Sequence, residues 1–398
     1  MGEDIFDELN RPEYPYAMLM EKGVGINGGK ILDLFRGLIW QAVNMSSLYV
    51  YRNFRLNESK SPVSNVSRLL FVMRDWCVMT TLNQEILRSL YDYCGVLNVE
   101  VLVLKRYDDI VTVIEKKLIS ESYSHIMVDT RIFETTKGLA GFTKAMYAAR
   151  NISFLLKKYK IVCLCNVTDW EAPVFRLLAD LITGDGGLIL SWGSVGFHEV
   201  AKSKHNRKIG PLIPPVSRQT LRELDLVEED EYMLGSDVAI MGLNYEPRKS
   251  LMEKLLPELK QQKINFYYNT RKDLSFSKYL LIYKFSKIGL NTNWIVGNEN
   301  RYHLTGRNIE VMSTGCLLIA HKCYGLDLYF QDGVDYVSFN DFTDLIEKIK
   351  FYMADDISRK KIADSGKKRV RHLIESFFVY KEIDKALGIF DYPSLPVI

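Results

Sequence analysis

Between residues 287 and 325 the chain carries a unit whose order leaves few folds open. Ile288-Gly289-Leu290 is a short apolar run ending in Asn291, which reads as a buried strand running into a polar loop. After the loop, Thr305, or the Gly306 behind it, can cap a helix carrying Arg307, Ile309, Glu310, Val311 and Met312, and Gly315 stops that helix. Cys316-Leu317-Leu318-Ile319-Ala320 reads as a second buried strand, and Gly325 ends the loop after it. Strand, loop, helix and strand in this order is the building unit of a parallel sheet. In such a sheet the helix N-terminus lies at the carboxyl edge, where unpaired N–H groups and the positive dipole end favour a phosphate. Glu310 stands about one turn into the helix, so its carboxylate faces the same cleft and can accept hydrogen bonds from sugar hydroxyls. A ligand with both phosphate and hydroxyls suits this edge.

The same alternation runs through most of the chain. Strands are expected over 69–73, 99–105, 125–129, 161–165 and 187–192, separated by helices over 83–93, 109–120, 139–158 and 172–183. That order implies a mostly parallel sheet covered on both faces, a Rossmann-like domain without the dinucleotide glycine fingerprint. Ile209-Gly210-Pro211-Leu212-Ile213-Pro214-Pro215 is the expected domain boundary, because prolines stiffen an interdomain connection. Alternation then restarts, with a strand over 238–243, a helix over 248–261 and a strand over 265–268, and helices over 341–353, 357–373 and 377–387 complete the chain. The expected organisation is an extension over 1–65, Rossmann-like domains over 66–215 and 216–375, and a closing helix over 376–398.

Composition excludes several alternatives. With 398 residues, 47% of them hydrophobic and 25% charged, the chain has a soluble protein's composition and material for two cores. Six scattered cysteines lack zinc spacing and read as reduced core residues of a cytoplasmic protein. No apolar run approaches the roughly 18 residues of a membrane-spanning helix. The helix over 30–45 has an apolar face that suits either a membrane surface or, the reading preferred here, packing on the main body. A formal net charge of +3 does not by itself argue for nucleic acid. Gly23 to Lys30 invites a phosphate-loop reading, but its spacing is wrong and Ile31 stands where Ser or Thr should hold magnesium.

The run Arg307-Asn308-Ile309-Glu310-Val311-Met312-Ser313-Thr314-Gly315-Cys316-Leu317-Leu318-Ile319 resembles the signature of retaining GT-B glycosyltransferases, especially the glycosyl transferases group 1 domain of CgeB-like proteins. Ser286 to Asn291, Gly325, Asp332-Gly333 and Tyr336 to Phe339 extend the likeness, and Gly242-Leu243-Asn244-Tyr245-Glu246-Pro247-Arg248 looks like the turn that opens the same domain. The likeness covers residues 236–385; over the first half it is architectural only. Relatives in family 4 carry two glutamates separated by seven residues; Glu310 matches the second, and Tyr302 stands at the position of the first.

The resemblance implies a GT-B fold, two Rossmann-like domains facing across a cleft, and transfer of a sugar from a nucleotide-diphosphate sugar to a hydroxyl of a glycan, glycolipid or protein. It places donor contacts at Gly242, Tyr245, Arg248, Lys287, Asn291, Gly306, Arg307, Asn308 and Glu310. Arg248 and Lys287 are the diphosphate candidates, since guanidinium binds phosphate bidentately and ammonium adds a point charge. Glu310 would take the ribose hydroxyls, Tyr302 or His303 the hexose, and Asp169 in the first domain stands near an acidic motif of the family. A retaining, same-face reaction in which the departing phosphate takes the acceptor proton is the family expectation. No cofactor is implied, and the absence of an Asp-x-Asp triplet predicts independence from metal. Competing readings are a phage-type DNA glucosyltransferase, which calls for a strong basic stripe, and a non-catalytic nucleotide-sugar-binding protein.

Overall fold

The computed structural model describes residues 68–75, 81–105, 109–133, 138–167, 173–184, 186–192, 208–227, 235–242, 245–269, 275–295, 298–323 and 325–387. The extension over 1–65, the glycine turn within it, and the candidate Asp169 lie outside these residues. The first domain alternates β1 (Leu69–Arg74), α1 (Thr81–Cys94), β2 (Val99–Leu104), α2 (Ile110–Ser120), β3 (His125–Asp129), α3 (Gly138–Tyr159), β4 (Val162–Val167), α4 (Pro173–Thr183), β5 (Leu188–Trp192) and β6 (Lys208–Leu212). Its strands lie in the order β2-β1-β3-β4-β5-β6, and every neighbouring pair is parallel.

β1 shows why a continuous apolar run was needed. Leu69, Phe71 and Met73 enter one core cluster while Leu70 and Val72 enter another, so both sheet faces are covered and alternate side chains point to opposite faces. β6 was not expected as a strand, because Gly210 and Pro211 interrupt its pattern. It occupies an edge of the sheet, where proline's missing N–H removes no interior ladder bond.

The second domain contains α5 (Arg218–Leu226), β7 (Val238–Met241), α6 (Arg248–Gln261), β8 (Phe266–Asn269), α7 (Phe276–Lys284), β9 (Ile288–Asn291), β10 (Trp294–Ile295), β11 (Asn298–Tyr302), α8 (Gly306–Thr314), β12 (Leu317–His321), α9 (Leu326–Tyr329), β13 (Val337–Phe339), α10 (Phe342–Ala354), α11 (Asp356–Glu375) and α12 (Phe378–Leu387). Its parallel sheet has the order β13-β12-β9-β7-β8. β10 and β11 form a separate antiparallel hairpin within the stretch read as loop. The polar sequence Asn298-Glu299-Asn300-Arg301-Tyr302 has no apolar alternation to announce a strand.

The two sheets share one core. Trp192, Leu212, Ile213 and Val216 of the first domain and its exit join Met241, Leu304, Ile309 and Leu326 of the second in a single cluster. The connection after β6 leaves the carboxyl edge of the first sheet and packs on the carboxyl edge of the second. A Cβ on Gly325 would lie 3.2 Å from Pro211 Cγ, and Tyr329 donates a hydrogen bond to the Pro211 carbonyl at 2.8 Å. The two edges where ligands collect in α/β proteins therefore converge. Beyond α11, Phe377 and Tyr380 lie 5.1 and 5.4 Å from the Tyr93 ring of α1. No helix among the described residues is long and apolar enough to cross a membrane.

Candidate functional site

The carboxyl edge of the second sheet is built from the ends of β7, β9 and β12. Gly242 follows β7 with φ +121°, a conformation that favours glycine, and donates its N–H to the Asn269 carbonyl at 3.0 Å. The missing side chain makes room for two cations: a Cβ here would overlap Arg248 Nη1 at 2.6 Å and Arg307 Nη2 more closely still. Both guanidinium groups thus press on one backbone atom, within about 5 Å of each other, where like charges repel unless an anion joins them.

Each arginine donates to a neutral acceptor. Arg248, at the start of α6, is buried, donates from Nε to Thr292 Oγ1 at 3.1 Å, and stands 5.0 Å from the Tyr245 ring centroid. Its pKa is pushed down to about 10, first by burial and then by the charge on Arg307. Arg307 Nη1 donates to Asn291 Oδ1 at 3.1 Å, while its Nε is enclosed without a hydrogen-bond partner. Burial works against the Arg307 charge as well, but Tyr279, Tyr283 and Glu310 outweigh it and hold the group above its ordinary value.

A buried asparagine network fixes this arrangement. Asn291 Nδ2 lies 2.7 Å from Asn293 Oδ1, 2.8 Å from Thr305 Oγ1 and 2.7 Å from Asn308 Oδ1. Asn308 donates to Asn293 at 2.9 Å, and Asn293 donates to the His321 carbonyl at 2.7 Å. Asn293 has φ +54°, a left-handed conformation that asparagine tolerates better than most residues. The network joins the end of β9 to the first turn of α8, so Arg307 projects from a rigid base. Thr305 precedes α8 without capping it through its side chain, because its hydroxyl accepts from Asn291 instead. The helix start and two cations consequently share one corner. Glu310 completes it: Oε2 accepts the Tyr279 hydroxyl at 2.7 Å, and Oε1 would stand 3.0 Å from a Cβ on Gly306. Gly306 also faces Pro214, whose Cβ would lie 3.7 Å from that added atom.

Of the donor candidates, Gly242, Tyr245, Arg248, Asn291, Gly306, Arg307, Asn308 and Glu310 come together. Asn291 and Asn308 are scaffold within that group, fully enclosed and spent on holding Arg307 and the loop. Lys287 is not brought in. It precedes β9 and therefore stands at the amino edge, about 13 Å along the strand from Asn291, where it pairs with Asp237 at 2.8 Å. Tyr302 lies 4.8 Å from the His321 ring, and the His303 N–H donates to the Asn293 carbonyl at 2.8 Å. Both flank the corner on the hairpin side. Thr292, Asn293 and Tyr279 were not singled out from sequence. The Asn-Thr-Asn run directly after a strand was the available signal, as three side chains that bond to nearby backbone and side chains.

On the first sheet, the polar residues at the carboxyl edge mostly order the loops themselves. Arg74 donates to the carbonyls of Ile132, at 2.8 Å, and Lys105. Arg131 pairs with Asp129 and reaches Asn83 Oδ1 at 2.9 Å. Buried Asn166 receives the Trp192 indole N–H at 3.2 Å and keeps an unpartnered Nδ2.

Residues 224–376 match the family model described as glycosyl transferase-like. No curated protein matches by sequence. Solved structures sharing the fold include HepE of Anabaena in complex with UDP and glucose, with a TM-score of 0.54 at 10% identity, covering 81% of this chain and 100% of that one. An α-glucosyltransferase in complex with UDP-glucose and DNA containing an abasic site reaches 0.53 at 12% identity, over 81% and 99% of the two chains. Sucrose-phosphate synthase of Thermosynechococcus elongatus reaches 0.52 at 10%, over 80% and 100%. The chain thus carries a glycosyl transferase-like match over its second domain and shares with these structures a fold of two facing Rossmann-like sheets.

Proposed function

We propose that the protein transfers a sugar from a nucleoside-diphosphate sugar to an acceptor hydroxyl of a glycan, glycolipid or protein. The carrying observation is the pair of enclosed guanidinium groups on Gly242 beside the start of α8: an arrangement costly when empty and relieved by a diphosphate. HepE is seen with UDP-glucose and the α-glucosyltransferase with the same donor, which agrees with this reading.

In the reaction, negative charge grows on the diphosphate oxygen as the anomeric bond breaks. Arg248, Arg307 and the α8 N–H groups face that oxygen's position and stabilise the growing charge more than the ground state. Glu310 holds the ribose hydroxyls and so sets the diphosphate in register with the two arginines. The acceptor hydroxyl approaches from the first-domain edge, with Asp169 and the Tyr302–His303 segment as the assigned sugar contacts. On the retaining course the departing phosphate takes the acceptor proton, and no protein base is required. Two fixed guanidinium groups supply the positive charge that a divalent ion supplies elsewhere, so transfer is proposed to proceed without metal. The net charge of +3 speaks against a nucleic-acid acceptor. Five free, buried cysteines among the described residues agree with a reducing, cytoplasmic setting.

A thermal-shift screen against UDP, ADP, GDP and their sugars tests the donor, since a ligand selective for the native state raises the melting temperature. Binding that disappears in Arg307→Ala, together with sugar transfer that survives chelation, is the expected pattern. A wild-type protein indifferent to every nucleotide overturns the reading, and transfer abolished by chelation and restored by divalent ion overturns its metal-free part.

A further inference from the structure

Helix α7 approaches the start of α8 with a tyrosine whose hydroxyl reaches a carboxylate of that helix. Tyr279 is stacked on Phe276 with ring centroids 5.9 Å apart and meets Tyr283 edge-on at 5.3 Å, so packing sets the direction of its ring. From that position its hydroxyl donates to Glu310 Oε2 at 2.7 Å. Burial is the largest cause raising the Tyr279 phenol well above its ordinary value, which keeps it a proton donor across the working pH range. The other carboxylate oxygen is thereby turned back along α8 to Gly306, the residue whose missing side chain leaves it room.

The alternative position for this carboxylate is close by. Arg307 lies three residues earlier on the same helix, and its Nε is enclosed with no hydrogen-bond partner. A Glu310 released from α7 has an adjacent cation to collapse onto, and that ion pair would withdraw both the carboxylate from the ribose and the guanidinium from the phosphate. We infer that Tyr279 is a positioning residue: it anchors Glu310 away from Arg307 so that the carboxylate is presented to a ribose diol, and it thereby makes the site discriminate ribonucleotides from deoxyribonucleotides.

This rests on the proposed nucleoside-diphosphate site and adds to it a residue from a neighbouring helix and a specificity. The test is Tyr279→Phe, which keeps the ring packing on Phe276 and Tyr283 and removes only the hydroxyl. Binding of UDP, ADP and GDP is compared with binding of their 2′-deoxy counterparts in both proteins by calorimetry. Wild type should prefer the ribonucleotide by roughly tenfold or more, as expected for hydrogen bonds to a charged group. In the variant the ribonucleotide should weaken about tenfold while the deoxynucleotide changes little, so that the preference collapses. A tyrosine needed only for packing would weaken both ligands equally, and an unchanged preference in Tyr279→Phe overturns the assignment while leaving the phosphate site standing. A wild-type protein that binds both sugars equally removes the role of Glu310 and this inference with it. A wild type that binds none of the six removes the donor reading itself.

Discussion

At the scale of single residues, the corner at Gly242 sets two guanidinium groups side by side, a conflict that the proposed diphosphate would relieve. Arg248 is buried beside Arg307 and held by a hydroxyl and an aromatic ring. Replacing it by methionine removes one of two neighbouring like charges and keeps the apolar stem. Arg248→Met should melt within about 2 °C of wild type, or above it, while losing the nucleotide-induced shift. A variant several degrees less stable that still binds nucleotide would contradict the site. Two buried histidines contribute to the loss of stability in acid. Burial lowers His125 and His321 from 6.5 to about 4. His321 is enclosed by Trp294, Tyr302 and Phe339. The unfolded chain takes up these protons first as pH falls, so stability present above pH 6.5 is lost as pH drops towards 4. Each histidine contributes about 2–3 kcal/mol to that loss. Urea midpoints measured from pH 7 to 4 should fall less steeply in His125→Gln than in wild type. Arg248, Arg307, Gly242 and Glu310 were legible as a group because their types suit a phosphate and a diol. Lys287 was misplaced by resemblance, although its position before the strand already assigns it to the amino edge.

At the scale of elements, α8 followed its local signals closely. It begins at Gly306 and ends at Gly315, whose φ of +85° is the left-handed conformation that terminates helices. Its placement depends on α11. A Cβ on Gly366 would strike the Asp335 carbonyl and come within 3.4 Å of Met312 Cγ, so the glycine lets α11 lie close against the rear of α8. Gly366→Ala gains helix propensity in exposed settings, but here the backbone contact should dominate and cost about 1–3 kcal/mol. Chemical denaturation decides: a neutral or stabilising result means that α11 moves freely. The β10–β11 hairpin and β6 were not legible. β10 is only two residues long, β11 is polar, and β6 is interrupted by glycine and proline, so none carries the periodicity that marks its type.

At the scale of the whole molecule, the two domains are joined through a buried carboxylate. Glu85 on α1 accepts the Ser217 N–H at 2.5 Å and the Thr220 hydroxyl at 3.0 Å, while Arg88 lies 3.1 Å away. The first domain thus satisfies the opening turn of α5, the element that starts the second domain. Glu85→Ala strands the Ser217 N–H in a buried place and should destabilise by about 2–4 kcal/mol. Limited proteolysis should then cut near residues 208–217 faster than in wild type. Equal cleavage rates would show that the shared core around Leu212 and Val216 holds the connection alone. Because Pro214 stands across from Gly306, where an added Cβ would meet it at 3.7 Å, loosening there should also weaken the proposed nucleotide binding.

The amino-acid order alone determined the alternation of strands and helices, the phosphate-favouring end of α8, and the glycine that ends it, because each depends on residues only a few positions apart. The tertiary structure decided which of these pieces meet. Setting β9 between β7 and β12 brings the end of β9 beside Gly242, and packing α7 on α8 delivers Tyr279 to Glu310. Neither adjacency is written in any local pattern. Both follow from the burial of two sheet faces, which is satisfied only when distant segments are placed side by side.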